Sequence, residues 1–527
     1  MGKIALGFIL MLLLCSVLVS LLEMEMVAAS GSIYIRADGR IEGTDKIQRL
    51  GDVYTFTGDL SGSIVVERDN LVLDGAGHVL RVNGDLGVGV DIRDRSNVTV
   101  KNLTIKGALG RCGILLINAV NCKIIRNNIV GNFIGIEMTG TSSRNRICEN
   151  CIRNNSVGME IYSVNPGFDN VISNNEVTNN SFGMHIKDFL RTEVIGNNVS
   201  FNVYGLGLGL GSGSIARNNL MNNNTYGFRA FNIQRERSFA TSIFNVDVDT
   251  SNMVNGKPII YWVNQHGKTV PAGACYVALI GCTGITVKNL DLGGNVEGVF
   301  LGSTTNSTII NNRISKCLFG VNLDSSSNNT ISGNIITENE NGIHLRWGSY
   351  DNIIHGNYIT ANTATGVYMA DSTNNRITWN HIAGNQRGIY TEYCGVNIIH
   401  HNNFINNTKQ WDDIGFTPWP IPLQISKSIW DDGKAGNYWS DYNGTDADGD
   451  GVGDKPYMVG WDNTDRYPLM NPIAIPGISD RETLPEDSIN WASLKATFFL
   501  AVVPIVLAII VFAVIYRKRG KISNNAL

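Results

Sequence analysis

The segment DADGDGVGD at 446–454 carries the most specific chemistry in the chain. Asp446, Asp448 and Asp450 occupy positions 1, 3 and 5 of a loop, Gly451 at position 6 permits the sharp turn, and Asp454 stands at position 9. That is the front of a calcium-binding loop. Position 12 is Tyr457 instead of a bidentate Glu, so the loop departs from an isolated EF-hand, and its expected role is to tie down the module around it.

A second set of chemistry-bearing residues emerges only when the chain is aligned to itself. CKIIRNNIVGNFIGIEM at 122–138, NVISNNEVTNNSFGMHI at 170–186, ISGNIITENENGIHL at 331–345 and NIIHGNYITANTATGVYM at 352–369 share one grammar. Each closes on Gly, aliphatic, polar, aliphatic. If the residue after the Gly points inward, the next points outward. The alignment then puts Glu137, Glu160, His185, Arg229, Asn322, His344, Tyr368 and Tyr390 in one outward column, and Tyr162, Lys187, Asp324, Arg346 and Glu392 in another. A face of carboxylates, bases and aromatics suits hydrogen bonding and stacking against a glycan. The candidate ligand-binding residues are therefore His185, Lys187, Asp324, His344, Arg346, Tyr368, Tyr390 and Glu392. Glu137 and Glu160 would lie on adjacent coils about 5 Å apart, near the spacing of a retaining glycosidase pair. They are the catalytic candidates of a polysaccharide hydrolase or lyase. The alternative is a plain polar strand face with no catalysis.

The elements that must position these residues follow from the period. The Gly opening each closing strand falls at 113, 135, 158, 183, 205 and 227, then at 298, 320, 342, 366 and 388. Such units are too short to be domains, and their apolar positions alternate as in strands. Stacked strand on strand they form an all-β parallel β-helix, here of about 13 coils beginning near Ser63. Asn312, Asn334, Asn357, Asn380 and Asn403 recur in step, so their amides are expected to form a ladder at a turn. Gly and Asn also tolerate the left-handed backbone of tight corners.

The organisation read along the chain is a signal peptide (1–29), N-terminal coils (30–228), an insert or hairpin (229–275), C-terminal coils (276–407), a calcium-binding aromatic module (408–472), a stalk (473–495), a membrane helix (496–516) and a tail (517–527). Arg517, Lys518, Arg519 and Lys521 after the apolar run put the tail in the cytoplasm and the β-helix outside a single-pass cell membrane. Removing that basic tail leaves the displayed part more acidic than the net −4 of the whole chain, which excludes nucleic acid as a natural partner. An extracellular glycan or envelope component fits better. The module's Trp411, Trp419, Trp430, Trp439 and Trp461 read as a cap over the open end of the solenoid or as a sugar-stacking platform. Cys148 and Cys151 form a lone CxxC with no second pair, too little for a zinc site.

Longer phrases carry a resemblance. LDGAGH at 73–78, VNGKPIIYWVNQ at 254–265, VALIGCTGITVKNL at 277–290 and NYWSDYNGTDADGDGVGDKPYMV at 437–459 resemble the NosD-type β-helix proteins, within the carbohydrate-binding and sugar-hydrolase (CASH) class built of PbH1 repeats. The resemblance spans nearly all of 50–472. It implies an exported, right-handed parallel β-helix, and copper as a cofactor, since the family's named member is linked to copper delivery during maturation of nitrous oxide reductase. A NosD-like accessory role in metal maturation is thus an alternative to glycan binding. The residues themselves supply no copper ligand set. His355 and His401 share a coil position about 10 Å apart, and the adjacent His400 and His401 should face opposite sides of a strand.

Overall fold

The computed structural model describes residues 31–476, apart from 84–86, 164, 166, 210, 231–245, 414–426 and 461. The expected signal segment, membrane span and tail lie outside these residues, as do most of the stalk, Trp419 and Trp461. Among the described residues no helix is long and apolar enough to cross a membrane.

Short strands stack into a parallel solenoid of about 15 turns. One coil shows the plan: Thr330–Ser332, Ile335–Thr337 and Asn341–Arg346 each pair in parallel with their counterparts one coil on, Thr330 with Ile353, Ile335 with Tyr358 and Asn341 with Thr365. Alternation assigns the faces. Ile343 and Leu345 are fully buried in the core, and His344 between them points out of the coil. The stack exceeds the expected 13 coils because it begins earlier, with Ile33–Ile35 pairing in parallel with Ile64–Val66. Those first strands lack the Asn and Gly grammar.

Three Asn ladders, rather than one, run through the C-terminal coils. In the expected ladder each Nδ2 donates to the next Oδ1 from Asn312 through Asn334, Asn357 and Asn380 at 2.9–3.0 Å. It then continues to Asn402 and Asn437. Asn403 is one residue out of register and instead bonds the backbone of Ile473. Parallel ladders run Asn339–Asn362–Asn385–Asn407 and Asn329–Asn352–Asn375–Asn397. All three bury amides that bond one another and the backbone, the condition under which burying a polar group is tolerable.

The corners divide labour differently from the expectation. The left-handed residue is the one before the ladder Asn, as at Asn311, Trp379 and His401, with φ of 55, 58 and 56°. The recurring Gly320, Gly342, Gly366 and Gly388 are required for space instead. A Cβ on each would stand 2.4–2.7 Å from a carbonyl oxygen of the next coil.

Within the 229–275 interruption, the described residues form a hairpin built into the stack. Met253–Val254 pairs in parallel with Leu220–Met221, turns at Asn255-Gly256, and returns antiparallel as Lys257–Val263. The far edge of that strand takes Tyr276–Ile280 in parallel and starts the second block of coils. Its sheet is a wall between two cores. Ile259, Tyr261, Tyr276, Ala278, Ile280 and Phe300 pack with the N-terminal coils, whereas Ile260, Val277, Leu279, Val299 and Leu301 pack with the C-terminal ones. Outward positions that face solvent elsewhere are here apolar and buried, so the open end of the first tube is sealed by the side of the second.

At the other end, Trp430 and Trp439 are buried in the second core. Phe404, Trp439 and Tyr457 stack at 4.4 and 4.3 Å between ring centroids. These described aromatics form a cap, not a platform.

Candidate functional site

The strand register separates the candidate residues into two groups. Glu137, Glu160 and His185 are successive partners on the N-terminal sheet, as are Tyr162 and Lys187. Asn322, His344, Tyr368 and Tyr390 are successive partners on the C-terminal sheet. The single outward column expected from the alignment is thus two columns, because the hairpin restarts the stack between Arg229 and Asn322.

In the N-terminal group the acids are already engaged. Arg111 forks Glu137 through two 2.9 Å bonds, and the Glu137 carboxylate is buried. His185 Nδ1 lies 2.7 Å from Glu160 Oε1. Adjacent coils do carry the two carboxylates side by side, but the charge of each is met by a different base.

The C-terminal group starts at the foot of the wall and is more buried than an exposed face should be. Asn322, Asp324 and His344 are 1, 5 and 8% exposed. The His344 ring is sandwiched between Phe319 and Tyr368, with centroids 4.6 and 4.5 Å away, and Tyr390 continues the stack at 5.3 Å. Burial, helped by the nearby Arg346 guanidinium, pushes His344 down to about 3, so its imidazole is neutral at physiological pH. Its Nδ1 lies 3.0 Å from Asn322 Oδ1. Charged groups rim this aromatic ladder. Arg346 reaches Asp324 at 3.4 Å, Tyr368 Oη donates to Glu392 at 2.5 Å, and Arg387, paired with Asp412 at 2.8 Å, lies 5.0 Å over the Tyr390 ring. Burial and then the Glu392 carboxylate raise the Tyr368 phenol, which keeps it a donor.

Alignment did not single out Glu297, which occupies the position held by Phe319, Asn341 and Thr365 in the next coils. It is buried at the wall, accepts a 3.2 Å bond from Tyr276 Oη, and lies 3.9 Å from Arg229. Burial lifts its carboxyl to about 7, against the opposing pull of Arg229, Tyr276 and Arg346. The folded protein therefore holds a proton that the unfolded chain releases near 4.5. The resulting stabilisation, about 3 kcal/mol, is complete below that pH and is lost as pH rises through about 7. Urea midpoints recorded across this window should fall with pH in the natural protein and show a markedly flatter profile in Glu297→Gln.

In the C-terminal module, ligand oxygens of Asp446, Asp448 and Asp450 lie within 4.8 Å of one another. The Asp446 carboxylate accepts backbone N–H bonds from Gly449, Asp450 and Gly451, which wraps the loop around it. Asp454 is turned to Thr445 and to the Ala447 N–H. The set suits a hard cation that takes oxygen ligands.

The histidines depart most from the sequence expectation. His400 and His401 converge, with Nδ1 atoms 2.7 Å apart and rings edge to face. Left-handed φ at His401 turns its side chain back beside its neighbour. His355 shares its column with His400, through Thr378, and not with His401. Two convergent imidazoles fit a copper ion as donors. Cys148 and Cys151 are free thiols on successive strands.

Comparison with known proteins agrees with this architecture. Residues 233–444 match the family model described as periplasmic copper-binding protein (NosD), and residues 61–199 match the right handed beta helix region. None of the curated proteins matches the chain. Among solved structures, the periplasmic alginate epimerase AlgG is 12% identical over 72% of this chain and 82% of its own, with a TM-score of 0.22. The A-module of mannuronan C-5 epimerase AlgE6 from Azotobacter vinelandii is 14% identical over 70% and 89%, with a TM-score of 0.25. The Dettilon tailspike protein is 12% identical over 67% and 62%, also with a TM-score of 0.25. Periodic strands, Asn ladders and the two matched regions together support a NosD-like right-handed parallel β-helix family, which 233–444 and 61–199 resemble.

Proposed function

We propose that this protein binds extracellular carbohydrate along the C-terminal sheet, as a β-helix displayed at the cell envelope. The observation that carries the reading is the ladder Phe319–His344–Tyr368–Tyr390, stacked at 4.5–5.3 Å and rimmed by Arg346, Glu392 and Arg387. Aromatic faces take the apolar side of a sugar ring, while carboxylates and guanidiniums take its hydroxyls. One coil advances the ladder by one strand spacing, so an extended glycan can run along the solenoid with its units meeting successive coils. The acidic surface favours neutral or cationic glycans over polyanions. No hydrolysis is assigned to Glu137 and Glu160, whose carboxylates are held by Arg111 and His185.

The sequence supports this placement: in this reading the apolar run 496–516 anchors the chain, and the basic tail after it leaves the coils outside. The matched family's description as periplasmic supports an envelope location. Calcium at Asp446, Asp448 and Asp450 rigidifies the capping module. Saturating calcium is expected to raise its stability by about 3 kcal/mol at a hundredfold excess over Kd, an effect that Asp448→Asn removes. Thermal melts with calcium and with chelator measure this.

The glycan reading is tested by an array and polysaccharide pull-down with the full chain. A retained glycan that free oligosaccharide displaces supports it, and an empty array with an intact fold contradicts it. A second reading, copper handling in support of a partner enzyme, is favoured by the family description and by the convergence of His400 and His401.

A further inference from the structure

We propose that Asn154, Asn179, Asn223 and Asn406 carry N-linked glycans, set along the corner that leads into each closing strand. The inference rests on the display of the coils outside the cell.

At this corner each coil spends three residues in the same way: a left-handed residue, a buried ladder residue, and a third residue before the closing strand begins. Outside the hairpin and the strand Tyr276–Ile280 that returns from it, twelve such corners are described, from 107–109 to 406–408. Four of them have Asn at the left-handed place, with φ of 52–57°, and all four have a hydroxyl two residues on: Ser156, Ser181, Thr225 and Thr408. Of the eight whose left-handed residue is Gly, Phe, Lys, Glu or Ala, only the corner of Ala361 does, with Thr363. The solenoid itself does not ask for that pairing. Among the described residues no hydrogen bond joins these Asn side chains to the hydroxyls that follow them. Asn-x-Ser/Thr is the acceptor pattern of N-glycosylation at the surface of exported proteins.

The geometry presents both halves of the pattern. Asn154, Ser156, Asn179, Ser181, Asn223 and Thr225 are exposed and line one groove of about 710 Å³. Asn406 and Thr408 are exposed at the same corner of the C-terminal block. Other copies of the pattern are engaged. Asn97 Nδ2 donates to Asn70 Oδ1 at 2.7 Å, Asn102 Nδ2 donates to Asp74 at 3.1 Å, and the buried Ser200 hydroxyl donates to Asn198.

The sugar donor is a diphosphate-linked oligosaccharide, brought by a transferring enzyme of the membrane. The acceptor Nδ2 bonds to the anomeric carbon as the bond from that carbon to the phosphate oxygen breaks. The diphosphate leaves with the electron pair, and one Nδ2 proton passes to a base of the transferring enzyme.

The groove also has a surface for the first sugars to cover. Phe201 and Val203, in the coil between those of Asn179 and Asn223, are 58 and 45% exposed. Coils stand about 5 Å apart, so a sugar on either neighbour reaches the Phe201 ring and lays its apolar side on it.

The test is peptide mapping by mass spectrometry of the full chain purified from its native membrane, with an impermeant lysine label applied to intact cells in parallel. The expected result is oligosaccharide on the peptides of Asn154, Asn179, Asn223 and Asn406, and none on those of Asn97, Asn102 and Asn198. Ser181→Ala and Thr225→Ala keep the acceptor, the ladder and the left-handed corner, and each should lose the modification at its own Asn alone. Melting temperatures check that both variants fold. Bare asparagines on a chain that the label reaches would overturn the proposal and leave the display standing, as would modification that survives loss of the hydroxyl. A chain labelled only after lysis would contradict the display, and the proposal with it.

Discussion

Gly342→Ala is expected to destabilise the coil stack by about 3 kcal/mol or more, although it adds one methyl group to a strand. The new Cβ would stand 2.6 Å from the Gly366 carbonyl oxygen, 2.8 Å from Ile359 Cγ2 and 3.1 Å from Asn362 Nδ2. A flexible side chain could move aside, but the carbonyl belongs to the next coil's strand and takes part in its register. Relief requires parting two coils, with loss of parallel hydrogen bonds and of the amide ladder between them. The comparison variant is Gly356→Ala. That Gly is left-handed at φ 66° with its nearest neighbour atom at 3.4 Å, so its cost is conformational, about 1 kcal/mol. Equilibrium urea unfolding of both variants should rank Gly342→Ala well below Gly356→Ala. Equal midpoints would show that the coils are not packed at contact distance.

Asn357→Ala is expected to cost about 4 kcal/mol. The side chain serves both neighbours. Its Nδ2 donates to Asn380 Oδ1 at 2.9 Å and to the Ile331 carbonyl at 2.8 Å, while its Oδ1 accepts from both the backbone N–H and Nδ2 of Asn334. Alanine removes all four of these bonds and takes the acceptor from the Asn334 backbone N–H, in a buried site. Because each coil contacts only its neighbours, the damage is local. Hydrogen exchange should accelerate first in the strands flanking 357 and leave the N-terminal block slow.

Much of this fold is legible in the sequence because the repeat is printed coil by coil. The alternation around Ile343, His344 and Leu345 assigns the faces, and the recurrence of Asn312, Asn334, Asn357 and Asn380 announces a ladder. The ladder's next step was not legible, since Asn402 and Asn403 are both Asn and only their three-dimensional register separates them. Spacing also misattributes the recurring Gly, whose function is close approach between coils and not a left-handed turn.

The wall between the two cores is a contact between distant segments, which no local pattern encodes. A signal existed nonetheless. Tyr261 and Phe300 are large apolar residues at positions where later coils carry Asn322 and His344, and apolar outward positions imply that something covers them. Asn322, Asp324 and His344 are buried, His344 between the rings of Phe319 and Tyr368, so the accessible part of the candidate face shifts toward Tyr368, Tyr390 and Glu392. His400 and His401 illustrate the converse. Strand alternation separates them, and the corner geometry reunites them.

Affinity of a retained oligosaccharide for the natural chain and for Tyr368→Ala/Tyr390→Ala is the most direct test of the glycan site. A matched control, Phe182→Ala/Tyr204→Ala, removes the stacked pair on the N-terminal sheet. The predicted result is a loss of at least about 10-fold in the first variant, the equivalent of roughly 1.4 kcal/mol, with melting temperature nearly unchanged and the control unaffected. Binding that survives loss of both tyrosines, or that disappears only in the control, would contradict a glycan site on the C-terminal sheet.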